Sequence, residues 1–508
     1  MTDLGELVFS NPELIRNLRI LLRPKRMLIA AAITGIVSLV ILPALWTNGG
    51  RYSQPGWGEG YLTTILVLQA VVLLLGGGTA CLQSISREKE LNTFDYQRIT
   101  RLSPLELSVG KLLGAPAMAY FITICLVPAT LFGFGNAAWK LEYLTDIWVL
   151  LAFCAVAFHS LTLVVSMLLK RSPSTGVVLL LLFFVGLPGL PWRVLLLSRG
   201  SAGMRGPESV NFYGVGLPHT PFYCFVYASF AAWFILALER NIKRDPAAYE
   251  LLTPLQALGF AGWINFIFIG LNPLKGSPAG APEVVSLWMN VTVFFVLGLV
   301  LLRNRDRARR RLRRLGEEGL SWLEAFWPAP YILIGVVATG FLSLVMEVRS
   351  PIETHPWNLK PEPLDLPLFL FRLAFVALWL CRDMLYLQWM NLRPGRKPLL
   401  RAMLYGFVYY VALFVLFFTR TTSAGPAEGA FQSIFVPVRA LVLDAASWNQ
   451  AFGAWSIALA SQAVVAFFFA FLHRQELQSL ASRPRTYPTA APPSIPPSIR
   501  PAIPGAAG

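Results

Sequence analysis

Charge is scarce in this chain. Only 14% of its 508 residues are Asp, Glu, Lys or Arg, where a soluble globular protein carries about a quarter. That shortage excludes a string of soluble domains. Cysteine is scarce too. Cys81, Cys125, Cys154, Cys224 and Cys381 show no spacing that suits a disulfide framework or a zinc site. Most of them lie in apolar runs, where cysteine behaves as a small hydrophobe. The histidines, His159, His219, His355 and His473, stand too far apart for a recognisable metal motif. No nucleophile elbow or paired-histidine helix motif occurs. A phosphate-binding loop is also missing. The sole Gly-Lys pair is Gly110-Lys111, with Leu105 where the first glycine belongs and Leu112 where a Ser or Thr belongs. An enzyme with its own soluble active site is therefore not expected, and the chain is expected to hold no cofactor and to hydrolyse no ATP itself.

What is present is apolar length. The chain is 55% apolar, with a mean hydropathy of +0.57, and a helix needs about 20 mainly apolar residues to cross a bilayer. Twelve stretches qualify: Met27–Trp46, Tyr61–Leu82, Leu112–Phe134, Ile147–Leu169, Thr175–Leu197, Phe222–Leu238, Leu255–Leu271, Val284–Leu302, Trp327–Met346, Leu366–Leu387, Ala402–Thr419 and Phe452–Leu472. A further piece, Phe431–Leu443, is short and broken by Pro437, which reads as interfacial. Lys and Arg test the count, because they accumulate on the cytoplasmic side. With the N-terminus inside and alternating spans, 31 fall on cytoplasmic segments and 9 outside, while Arg193, Arg372 and Arg382 lie within spans. The expected fold is therefore an all-α polytopic membrane protein with about twelve transmembrane helices, an N-terminal interfacial helix and both termini cytoplasmic. Its expected place is the cell membrane.

Topology also accounts for the net charge of +16, so no nucleic acid is needed as a partner. The basic run RNRDRARRRLRR (Arg303–Arg314) directly follows a span and reads as an anchor against anionic headgroups. The N-terminus opens with acidic residues and lacks the look of a signal peptide. In NPELIRNLRILLRPKR, Leu14, Ile15, Leu18, Leu21 and Leu22 share one helical face, the pattern of a helix lying in the membrane interface. Residues 483–508 hold eight prolines and should be extended or disordered. The expected organisation is an interfacial elbow (1–26), a six-span half (27–245) with a polar loop (84–111), two further spans (246–302), an Arg-rich linker (303–326), a four-span part (327–472) and a proline-rich tail (473–508).

Polar residues within spans can mark a transport path, because hydrocarbon penalises them. His159, with Ser160, Thr162 and Ser166, reads either as a proton relay or substrate contact, or as a hydrogen bond to a neighbouring helix. Arg382-Asp383 can pair or reach the interface. Arg193 follows the broken sequence GLPGLPW, whose prolines argue against a straight helix. No span shows the ladder of carboxylates expected of a proton-driven carrier.

The densest polar run of the first third is SREKELNTFDYQRITRLSPLELSVGK, between the second and third apolar stretches. Arg87 to about Arg101 reads as a polar helical segment. Ser103 caps a new helix, with Pro104 in the first turn and Glu106 at capping-box spacing. Such a helix–break–helix exposes a charged knob to the cytosol, which suits docking of a soluble partner. A merely solvated loop is the other reading.

The run resembles the cytoplasmic signature of ABC type-2 permeases, the membrane subunits of ATP-binding-cassette exporters. Arg87, Glu88, Glu90 and Thr93 match its first part. Leu102, Ser103, Pro104, Glu106, Leu107, Gly110, Lys111 and Leu112 match the second. The NPELIRNLR helix is similar to that family's N-terminal elbow, and the resemblance covers about residues 10–245. It implies that the loop carries a coupling helix seated in a cleft of a separate ATPase subunit, where ATP is bound. The implied coupling residues are Arg87, Glu88, Glu90, Thr93, Gln97, Arg98, Leu102, Ser103, Pro104, Glu106, Gly110 and Lys111. The implied partners are the ATPase, the bilayer, and a second copy or a second permease. Family members commonly have six spans, and this chain has about six more. Leu392, Pro394 and Arg401 repeat the spacing of Leu102, Pro104 and Lys111, a weak echo that leaves open a fused second half or an accessory domain. An ion-coupled carrier and a non-transporting scaffold are the alternative functions.

Overall fold

The computed structural model describes residues 10–49, 57–137, 139–168, 209–213, 215–244, 249–271, 281–315, 322–349, 365–395, 397–418, 425–435, 440, 443 and 445–482. The expected fifth span, the GLPGLPW break with Arg193, His355 and the proline-rich end lie outside them. The chain divides into two compact units, residues 1–282 with 341–361, and 283–340 with 362–508.

The first unit opens with α1 (Pro12–Leu21), then α2 (Pro24–Gly49). Next come α3 (Trp57–Val71) and α4 (Gly77–Glu90), joined without a break by a π-helical turn, Val72–Gly76. A π-turn leaves one carbonyl displaced from the regular ladder, and Gly77 just after it leaves room for His159, which a Cβ there would meet. After the short α5 (Phe94–Arg98), the next apolar stretch is divided into α6 (Pro104–Gly114), α7 (Ala117–Cys125) and α8 (Val127–Gly135). The dividers are Pro116 and Pro128, each lacking the backbone donor that would continue the ladder. Helix α9 (Leu141–Leu168), apolar all round, is the most enclosed of the described spans.

A two-stranded antiparallel hairpin, β1 (Ser209–Phe212) and β2 (Val215–Pro218), leads into α10 (His219–Asn241). Helix α11 (Pro254–Leu271) completes the unit, holding the hairpin through Tyr213 N–H to the Gly270 carbonyl, 3.0 Å. Leu73, Leu74, Leu82, Leu151, Phe158 and Tyr227 belong to its core.

The second unit contains α12 (Ala281–Leu301), α13 (Arg305–Leu315), α14 (Trp322–Ala325) and the first half of α15 (Ala329–Arg349). It continues with α16 (Leu366–Leu392), α17 (Pro398–Phe418), α18 (Pro426–Phe435), α19 (Ala445–Gln450) and α20 (Phe452–Ser482). Phe371, Phe375, Ala430 and Trp455 cluster in its core. The stretch expected to lie in the interface from Phe431 in fact begins as a helix at Pro426. It packs against α20, where Gln462 donates to the carbonyls of Ser433 and Ile434 at 3.2 and 2.7 Å.

Among the described residues, seven helices are long and apolar enough to cross a membrane, and Asn290–Leu301 and Ala329–Val345 are shorter apolar helices. Leu366–Leu387 and Ala402–Thr419 fall on α16 and α17, the former interrupted by Arg372, Arg382 and Asp383. The protein is thus an α-helical, membrane-embedded chain.

Candidate functional site

The polar loop is built from the end of α4. Asn92 adopts a left-handed conformation, φ 55°, which asparagine tolerates better than most residues. The turn folds back so that the Thr93 N–H and hydroxyl both donate to the Glu88 carbonyl, at 2.9 and 3.2 Å. Phe94 from α5 is buried against Ile85, Leu107, Leu163 and Leu238, which fastens the loop to the ends of α4, α6, α9 and α10. The expected capping box is present. Glu106 N–H donates to Ser103 Oγ at 3.1 Å, and Ser103 N–H to Glu106 Oε2 at 2.6 Å. Two lysines add clamps: Lys243 donates to the Thr100 carbonyl at 2.8 Å, and Lys89 to the Met167 carbonyl.

Beneath this loop lies a closed charge network. Lys111, fully buried, reaches Glu88 Oε2 at 2.6 Å and Glu13 Oε1 at 3.1 Å. Arg16 bonds Glu13 at 2.8 Å and Glu88 at 2.9 Å. Gln97 donates to Glu88 Oε1 at 2.8 Å. Two carboxylates and two cations cancel, so the cluster is neutral. Separately, each buried charge would cost several kcal/mol; together they join α1, α4 and α6.

Two glycines bring α1 close enough. A Cβ at Gly110 would lie 2.7 Å from Asn11 Oδ1 and 2.8 Å from Glu13 Cβ; one at Gly114 would lie 2.8 Å from Asn17 Cβ. The sequence Gly-Lys-Leu-Leu-Gly is thus a small-xxx-small face for close helix packing. Asn11 serves both helices. Its Oδ1 accepts from Glu13 and Leu14 N–H at the start of α1, while its Nδ2 donates to the Glu106 carbonyl at 2.7 Å. The polar side of α1 therefore faces the protein. Its leucine stripe is left half-buried, compatible with the interfacial placement expected of it.

The expected coupling residues divide accordingly. Arg87, Glu90, Thr93 and Ser103 are exposed, while Arg98, Leu102, Pro104 and Glu106 are half-buried. Glu88 is only 16% exposed, and Gln97, Gly110 and Lys111 are buried. The expectation of an outward-facing charged knob therefore needs correction at Glu88 and Lys111. They satisfy each other, because neither charge could be buried alone. The loop also exposes Leu91, Tyr96 and Ile99, at 63%, 72% and 81%, and the charged residues Arg87, Glu90, Asp95 and Arg101 of the same loop are exposed as well. Sequence reasoning missed these three apolar residues, although loop apolars flanked by charges were a visible signal. It also missed Asn11, Glu13 and Arg16. Nothing local signals them, since Glu13 and Lys111 are 98 residues apart.

His159 and Arg382, two of the polar residues expected within spans, are also satisfied. His159 Nε2 faces the Leu73 carbonyl at 2.9 Å, on the π-turn, and Nδ1 faces the Tyr120 hydroxyl at 3.0 Å. A carbonyl only accepts, so Nε2 carries the proton and Nδ1 accepts from Tyr120. Arg382 pairs with Asp383 and donates to Gln462 and Tyr410 at 2.8 and 2.7 Å. Arg401, in the faint echo, is exposed rather than buried like Lys111. Among the described residues no three His, Cys, Asp or Glu side chains converge as a metal site. Comparison with models of known families, with characterised proteins and with solved structures finds no match.

Proposed function

We propose that the chain is the membrane-spanning permease subunit of an ATP-binding-cassette exporter, with twelve spans and both termini in the cytoplasm of the cell-membrane face, energised by a separate ATPase. The observation that carries this reading is the loop after the second span, together with the resemblance of its residues to the permease signature. Its backbone is capped, clamped and tied to α1, while its outer surface offers Leu91, Tyr96 and Ile99 among charges. Such a surface can accept a partner without losing shape, and an apolar centre with a charged rim is the usual anatomy of a binding patch. Closure of an ATPase dimer would push the loop. The charge network would pass that push to α1, α4 and α6 together, moving spans between two arrangements.

The test is affinity purification of the detergent-solubilised chain with mass spectrometry of what is retained. An ATPase should accompany the wild type. Buried hot-spot side chains typically contribute 2 kcal/mol or more, so Ile99→Asp and Tyr96→Asp should each lower its recovery roughly tenfold or more. Recovery unchanged by both substitutions would remove the loop as a docking site. A retained non-ATPase protein lost with Ile99→Asp would favour the scaffold reading instead.

A further inference from the structure

Helix α13 carries seven arginines and one aspartate in its 11 residues, RDRARRRLRRL. An amphipathic basic helix ordinarily holds a membrane by inserting its apolar face. Here that face is already used. Ala308 and Leu312 pack against Leu392 at the end of α16 and against Leu477 and Leu480 of α20. The helix is thus held by protein, and any membrane attachment must come from its arginines.

Those arginines fall on two flanks. On one, Arg311 and the preceding Arg303 are bound to Glu324, at 3.3 and 2.5 Å. On the other, Arg305, Arg309 and Arg313 recur four residues apart, so they form a line with one cation per helical turn. None of these three is ion-paired among the described residues, and Arg305 keeps Nε and Nη2 buried without a hydrogen-bond partner. A buried, unpartnered guanidinium edge at one end of a row of free cations is a site built for an anion.

The level of the row in the unit identifies that anion. The apolar part of α20 ends at Leu472. At about 1.5 Å per residue, Leu477 and Leu480 lie roughly 7–12 Å beyond it, from the outer edge of a headgroup layer about 5–7 Å deep to just outside it, within reach of a long arginine side chain. Three tryptophans in the same unit are stacked by arginine: Arg303 over Trp327 at 3.4 Å, Arg474 over Trp322 at 4.1 Å and Arg393 over Trp389 at 4.2 Å. Tryptophan concentrates at the membrane–water boundary, and arginines beside it can reach back to lipid phosphates. We propose that the Arg305–Arg309–Arg313 row of α13 binds the phosphates of anionic phospholipids, by charge and hydrogen bonding and without insertion of the helix. The proposal is independent of the transporter reading.

The test uses the full chain in detergent, titrated with phosphatidylglycerol or phosphatidylcholine and read by native mass spectrometry. The wild type should retain phosphatidylglycerol at least tenfold better, and the preference should fall steadily as salt is raised. The triple variant R305Q/R309Q/R313Q should lose the preference. Arg310→Gln, exposed on the same helix outside the row, should keep it. Should the triple variant fail to fold, the salt titration and R305K/R309K/R313K, which preserves the charge, carry the test. Equal retention of both lipids by the wild type, a preference indifferent to salt, or a triple variant indistinguishable from wild type would each overturn the proposal. So would co-purification of nucleic acid or an acidic protein through this row with no preference between the lipids.

Discussion

Lys111 shows how one side chain can hold several elements. It is wholly buried between Glu13 and Glu88, and removing one partner of a buried ion pair typically costs about 3–5 kcal/mol because the remaining charges are stranded. Lys111→Met should therefore lower the thermal unfolding midpoint in detergent markedly. The double variant K111M/E88Q should recover at least half of that loss, since it removes a stranded carboxylate as well. A double variant no better than the single one would show that the network does not act as a unit. His159 sits at the opposite extreme, with both nitrogens satisfied within the fold. Tyr120→Phe leaves the buried Nδ1 without its donor and should cost about 1–3 kcal/mol, with transport retained. A relay role would instead abolish transport at unchanged stability.

Between elements, α1 and α6 meet through glycine rather than through leucine. Gly114→Leu would drive a branched side chain into Asn17 and should separate the two helices. The separation should show as a lower thermal unfolding midpoint in detergent, and the neighbouring Gly110→Val change, whose Cβ would lie 2.7 Å from Asn11 Oδ1, should lower it too. Gly135→Ala is the matched control, with nothing within 4 Å of its added Cβ; it should leave the midpoint unaltered. No rule of spacing shows that the partners of Gly110 and Lys111 lie in the N-terminal segment, about a hundred residues away.

For the molecule as a whole, the transporter proposal commits to an energy source. Reconstituted with its partner ATPase, the chain should move substrate only when ATP is supplied, and should continue when ion gradients are collapsed by ionophores. Transport driven by an ion gradient without ATP would reverse that assignment and return attention to the Arg382–Asp383–Tyr410 cluster. In the structure this cluster has the character of a clamp. Arg382 is bound to Gln462 of α20 and Tyr410 of α17, and Asp383 accepts from Trp379 at 3.1 Å and from Tyr410.

Composition and hydropathy were enough to determine that this is an α-helical membrane chain, because a bilayer demands long apolar helices that satisfy their own backbones. Local patterns reached further at Ser103, Pro104 and Glu106, whose capping box involves residues three apart and needs no tertiary context. Tertiary structure alone decided which charges face inward. Glu88 and Lys111 look as exposed in the sequence as Glu90 and Arg87, and they differ only because Glu13 and Arg16 arrive from a distant segment to neutralise them. It also decided that the apolar stripe of α13 packs on protein while that of α1 stays half-buried. An amphipathic pattern states that a face must be covered and leaves open whether lipid or protein covers it. The reason is common to both cases: burial and pairing energies belong to contacts between segments far apart in the chain.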